Sequence, residues 1–167
     1  MSRLQLEVKN TKAVLEKFIP DMKKEASGSK VPIAKLKLSM KLQASSLAFL
    51  SPDLEAHYYN PDAVVDLALG TPLRDGNEVF PHKRGESMVG ATAKIDYGLG
   101  TLSFVDAIVD DISIHPMNGG IVIWFFTLTV KADEVQAGKL YMLQEQEVRI
   151  ASIEPPEDKQ QKIREAA

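Results

Sequence analysis

Catalysis needs a nucleophile, a base or a metal set at a recognisable spacing, and this chain holds few such groupings. His57, His82 and His115 lie in separate segments. They lack the His-x-x-x-His spacing of a metal pair, and no motif joins any of them to a serine as base to nucleophile. His57 sits at the end of a short helical pattern and reads as a partner for the negative end of a helix dipole. His82 and His115 flank Pro81 and Pro116 and read as solvated turn residues. Asp106, Asp110 and Asp111 form the one carboxylate group that could share a divalent metal, as in nucleases. The preferred reading is structural: neighbouring residues of a strand point to opposite faces, and acids mark a bulge or an exposed edge. No glycine-rich phosphate cradle is present. There is no cysteine, which excludes disulfides, thiolate zinc sites and cysteine nucleophiles. The expectation is a protein that is not an enzyme, with no cofactor and no metal.

Binding is better represented. Lys35, Lys37 and Lys41 share one face of an alternating segment, with Ser39 between them and Leu36, Leu38, Met40 and Leu42 opposite. Lys9 joins this basic stripe if the first strand pairs alongside. Residues 1–43 carry ten Lys and Arg against four Asp and Glu, a net of +6, whereas residues 44–167 carry ten against nineteen, a net of −9. A concentrated positive face suits phosphate contacts; the alternative for such lysines is a solvated, edge-protecting strand face. Tyr58, Tyr59, Phe80 and Tyr97 are the aromatics expected to be exposed, and single-strand binders pair stacking rings with a positive groove. Lys83 and Arg84 beside Phe80 make a second candidate contact surface. Trp124, Phe125 and Phe126 are expected to be core.

The elements that must position these residues are mostly strands. Leu4, Leu6 and Val8 alternate with polar residues, a period of two. Asn10 reads as a turn, residues 13–19 as strand or short helix, and Pro20 as their end. Residues 21–30 read as a polar loop or hairpin tip, followed by the lysine-backed strand. Ser45 or Ser46 caps a turn, and Ser51–Pro52 starts a short helix over 52–59, with serine as cap and proline first. Residues 70–90 hold Gly70, Pro72, Gly76, Pro81, Gly85 and Gly90 and read as a long loop, a place where function often sits. Strands are expected over 91–97, 102–114 (bent at its aspartates), 121–130 and 147–153. A tight hairpin is expected at Asn118–Gly119, and a turn or short helix over 133–141. Pro155–Pro156 closes the fold.

The order of Val31–Leu38, Leu47–Tyr59, Asn118–Phe126 and Gln146–Ile150 resembles a group of small β-rich accessory proteins of tailed-bacteriophage genomes. That resemblance implies a phage origin and a small partner-binding role without catalysis. Phage single-stranded DNA-binding proteins with an OB-like barrel are similar in size and strand content. The expected fold is α+β and β-rich: one antiparallel sheet or partly closed barrel (OB-like or sandwich) with one or two short helices. It forms a single domain over 1–154, with a charged tail over 155–167. The expected partner is single-stranded nucleic acid, held by Lys9, Lys35, Lys37, Lys41, Lys83, Arg84 and Phe80. The alternative is a host or phage protein, bound by an inhibitor of host defence or an assembly subunit whose acidic surface mimics DNA or docks on a basic host protein. Apolar strand edges could also pair two copies into a homodimer. The longest apolar run, residues 121–126, is too short to span a membrane, and no secretory segment follows Met1, so the expected location is the cytoplasm, that of the host cell for a phage protein.

Overall fold

Period-two alternation dictates strands, and the computed structural model, which describes residues 4–59, 82–117 and 119–156, joins them into one antiparallel sheet. The strands are β1 (Val8–Lys24), β2 (Lys30–Gln43), β3 (His82–Lys83), β4 (Met88–Asp96), β5 (Thr101–Met117), β6 (Ile121–Lys131) and β7 (Gln146–Glu154). A 3-10 turn (Ala44–Phe49) and α1 (Leu54–Tyr58) follow β2, and α2 (Glu134–Met142) precedes β7. The sheet order is β3-β5-β4-β7-β1-β2-β6, and β5 also pairs with β6. The pairing thus runs round from β4 through β5, β6, β2, β1 and β7 back to β4. The expected β-rich fold is present, in the form of a partly closed barrel.

The interior collects the apolar half of each alternation. Leu15, Leu36, Leu38, Ile95, Ile112, Ile114, Trp124, Leu128 and Ile150 are all buried in one cluster, each such side chain stabilising the fold by about 1.5–3 kcal/mol. Trp124 could not be buried without a partner for its indole N–H. It donates to Ser46 Oγ at 2.9 Å, which anchors the 3-10 turn against the barrel wall.

β1 is longer than its residues suggest. It passes Asn10 in a left-handed conformation (φ 50°) without turning, and it continues through Pro20 to Lys24. Proline is tolerated there because β7 pairs only with Val8–Leu15, so at Pro20 one edge of β1 has no neighbour that needs an N–H. Beyond the barrel β1 and β2 run on as a two-stranded arm, Lys24 opposite Lys30, so only residues 25–29 remain of the expected loop. Ser51 does not cap a helix: α1 begins at Leu54 behind Asp53, which makes no side-chain capping bond. α2 has the better start, with Asp133 Oδ1 accepting from the Gln136 N–H at 2.8 Å and Gln136 Oε1 accepting from the Asp133 N–H at 3.1 Å. Of the expected 70–90 loop, residues 82–83 and 88–90 are strand and residues 70–81 lie outside the described residues, as do residues 157–167 of the tail. The β5–β6 hairpin forms where the Asn-Gly signal put it, Met117 facing Ile121. The positive φ angles there fall on Gly119 and Gly120; Asn118 lies outside the described residues.

β5 bends at its aspartates. Three of its residues span two of β4 between Phe104 and Ala107, and three span two of β6 between Asp110 and Ser113. Asp106 (φ 56°) and Asp111 (φ 50°) absorb the extra residues in left-handed conformations, which Asp accepts better than β-branched residues do. Asp111 is exposed, so its backbone conformation dominates any substitution. Asp111→Val should lower unfolding free energy by about 1–2 kcal/mol, and Asp111→Gly should not, as read from urea melts.

Tyr58 and Tyr59, expected on the surface, are buried, 5% and 3% exposed. The Tyr59 hydroxyl lies 2.7 Å from the Met117 carbonyl and 3.1 Å from that of Ile121, and accepts from the Met117 N–H at 3.1 Å. It ties the end of α1 to the root of the β5–β6 hairpin. Burial pushes this phenol up to about 12, opposed by the Met117 bond and reinforced by Glu55. The unfolded chain therefore releases this proton first as pH rises past about 10. Wild-type stability should fall between pH 10 and 12 by more than that of Tyr59→Phe, which denaturant melts at pH 9 and 11.5 compare directly.

Candidate nucleic-acid interface

The alternation that buries Leu36, Leu38 and Met40 turns Lys35, Lys37 and Lys41 outward, all exposed. Register extends this face sideways into rows. Lys17 stands opposite Lys37, which faces Thr127, which faces Asp110. The next row runs Val14, Ser39, Phe125, Ser113, and the one beyond runs Lys41, Ile123, His115. A four-strand wall of β1, β2, β6 and β5 thus carries a lysine stripe down its second strand. Lys17, Lys35, Lys37 and Lys41 make no ion pair among the described residues, whose four pairs are Lys9–Glu7, Lys12–Glu147, Arg84–Glu86 and Lys131–Glu25. Lys17 directly opposite Lys37 is a like-charge cross-strand pair, an arrangement that weakens a sheet.

The wall opens between β1 and β2. β1 and β2 pair as far as Ala13–Met40 and then part. Past that point β1 stays with β7 through Val8–Lys12, while β2 stays with β6 through Lys41–Gln43. Between them lies a cleft of about 600 Å³, lined by Thr11, Lys12, Val14, Ser39, Lys41, Ile123, Phe125 and Glu147 among others. A shallower hollow of about 290 Å³ shares Thr11 and continues past Lys9, Gln43 and Ser46 to Phe49. Lys9 and Lys12 are balanced by Glu7 at 3.5 Å and Glu147 at 3.9 Å.

The expected site residues therefore divide. Lys35, Lys37 and Lys41 form one stripe, and Lys41 also lines the cleft. Lys9 is exposed but borders the hollow at the far end of the cleft rather than the stripe. Lys83, exposed, continues the Val14, Ser39, Phe125, Ser113 row onto β3 at the edge of the wall, three strands from the stripe; β3 pairs with β5 at Ser113 and Ile114, and the Arg84 N–H donates to the Ile112 carbonyl. Arg84 is half-buried and held by Glu86, Nε to Oε2 at 3.2 Å. Burial would raise the Glu86 carboxyl, yet bonds from Arg84 and its own main chain, with the Arg84 charge, bring it below the usual range. Arg84 is thereby committed to a structural partner. Phe80 lies outside the described residues.

Two residues of this wall escaped the sequence reading. Phe125, expected to be core, faces outward, half-buried, at the cleft. Lys17 belongs to the stripe through an extra residue at Glu16, where the β1–β2 register shifts; Glu16 then accepts from Ser39 Oγ at 2.7 Å. His82 and His115, expected to be solvated, are half-buried. Among the described residues no three His, Asp or Glu side chains gather into a metal-holding group, so nothing brings Asp106, Asp110 and Asp111 to one ion. No described helix is long and apolar enough to cross a membrane.

Asp110 is the acid nearest the stripe. Burial raises its carboxyl above the usual range, Asp111 adds to the rise and Lys35 opposes it. A raised carboxyl costs stability once it ionises. Asp110→Asn should therefore stabilise the protein at pH 7, with the gain vanishing as pH falls through the carboxylate range, as measured by urea melts at pH 7 and 3. No family model, curated protein or solved structure matches the chain, so the resemblance to phage accessory proteins rests on its residues alone.

Proposed function

We propose that this chain is a nucleic-acid-binding accessory protein without catalytic activity, contacting phosphates through the outward face of the β1–β2 hairpin. The observation that carries the reading is the Lys17, Lys35, Lys37, Lys41 stripe, which keeps a like-charge pair face to face and has no ion-pair partners among the described residues. Such an arrangement works against folding and in favour of a polyanion. In the arm beyond the stripe, Lys23, Lys24 and Lys30 outnumber Asp21 and Glu25.

Phosphate neutralisation releases counterions, and a single strand gives a slope of about −0.7 in log K against log salt per contact. Four lysines predict a slope of about −3. Replacing Lys17, Lys35, Lys37 and Lys41 with alanine should flatten that slope and weaken binding at least tenfold. Exposed positions of this kind change stability by about 0.5 kcal/mol or less, so folding is preserved. Fluorescence anisotropy with labelled oligonucleotides from 20 to 300 mM salt measures both quantities. No binding by micromolar wild-type protein at 20 mM salt sinks the proposal.

A further inference from the structure

We propose that the opening between β1 and β2 is a slot for one unstacked nucleobase, so that the protein selects single strands over duplex; this rests on the nucleic-acid reading above. The slot and the stripe divide the chemistry of a nucleotide between them. Along the stripe the charge is net positive, as phosphate requires. Inside the slot Lys12 is offset by Glu147, which leaves Lys41, the end of the stripe, as the one lining charge without an ion pair among the described residues; a single cation beside apolar surface suits a base with its own phosphate at the mouth better than a second anion within.

The lining suits a base as well. Val14, Ile123 and Phe125 supply apolar surface, with one aromatic ring on which a base can stack. Thr11 and Ser39 place hydroxyls on the walls, each donating already, to the Lys9 carbonyl and to Glu16, and so each presenting a lone pair as acceptor. The facing edges of Lys9–Lys12 and Lys41–Gln43 belong to no ladder with each other, and strand edges of this kind offer the N–H and C=O groups that pair with the polar rim of a base. About 600 Å³ is within the range of sites that enclose small ligands. The lining residues Val14, Ser39, Lys41, Ile123 and Phe125 lie on the outward face, whereas Ala13 and Met40 between them are buried. A ligand enters from the lysine side. A duplex keeps its bases stacked inside and can meet this convex wall only through phosphates.

The test compares a 20-nucleotide single strand with the matching duplex at low salt, for wild type, Phe125→Val and Ser39→Leu. Valine keeps a good strand former while removing the ring, and leucine fills the slot from a second position, so one variant serves if the other fails to fold. Wild type should favour the single strand by roughly tenfold or more, the loss expected when one stacked base is removed. Each variant should bring single-strand affinity down to the duplex level and leave duplex affinity and the salt slope unchanged. Equal affinity of wild type for both forms, or variants that weaken both equally, overturns the slot and leaves the stripe standing. No binding of either form overturns the stripe and the slot with it.

Discussion

A sheet closes on itself only where its two ends find each other, and in this protein the closing seam is the pairing of β5 with β6. One edge of β5 carries β4 and then β3, and the other carries β6 over its second half. The bend of β5 falls where Asp106 and Asp111 each take a left-handed conformation and give the strand one residue more than its partner. Gly90 makes the matching adjustment on β4: its φ is +83°, and a Cβ there would meet the Pro156 ring at 3.4 Å. Closure removes most open strand edges and encloses a core with Trp124 at one end, its N–H satisfied by Ser46.

The same closure leaves a gap between β1 and β2. β1 leans towards β7 and β2 towards β6, so past Ala13–Met40 each follows its outer neighbour and the two part. A gap in a barrel wall would admit water to the core. Here Ala13 and Met40, the last pair before the strands part, are buried, and the segment before β1 is tied to the 3-10 turn by the Gln5 N–H donating to the Phe49 carbonyl. The result is a recess with apolar walls at the end of a row of lysines, not a hole. Its position follows from strand geometry, and the proximity of the charges follows from β2 carrying both the stripe and one side of the gap.

Much of this was legible in the residues. The lysine face of β2 follows from strict alternation, because Leu36, Leu38 and Met40 have one place to go and Lys35, Lys37 and Lys41 take the other. The bend of β5 was visible in its acids, and the β5–β6 hairpin in Asn118–Gly119. What misled was periodicity where the strand is irregular. The added residue at Glu16 shifts the phase of β1, so Lys17 does not stand out as part of the stripe, and the free edge at Pro20 makes a strand look like a strand end. Tyr58 and Tyr59 looked exposed because they come straight after Glu55, Ala56 and His57, which are exposed. Burial of Tyr59 depends on a hydrogen-bonding partner, the hairpin root at Met117, that is 58 residues away.

Phe125 marks the boundary most clearly. In sequence it is one of three consecutive large rings, and nothing local separates it from Trp124 and Phe126. Alternation alone determined that it points opposite to them, and hence which of the three could meet a ligand; but β6 is apolar on both faces, so which face is core depends on what lies across from it. Across from Phe125 stand Ser39 and Ser113, too small to cover a ring. Local alternation thus set the strands and the lysine face of β2. The cleft, and its place beside those lysines, came from pairings between distant segments, since only tertiary contact decides where two neighbouring strands must part.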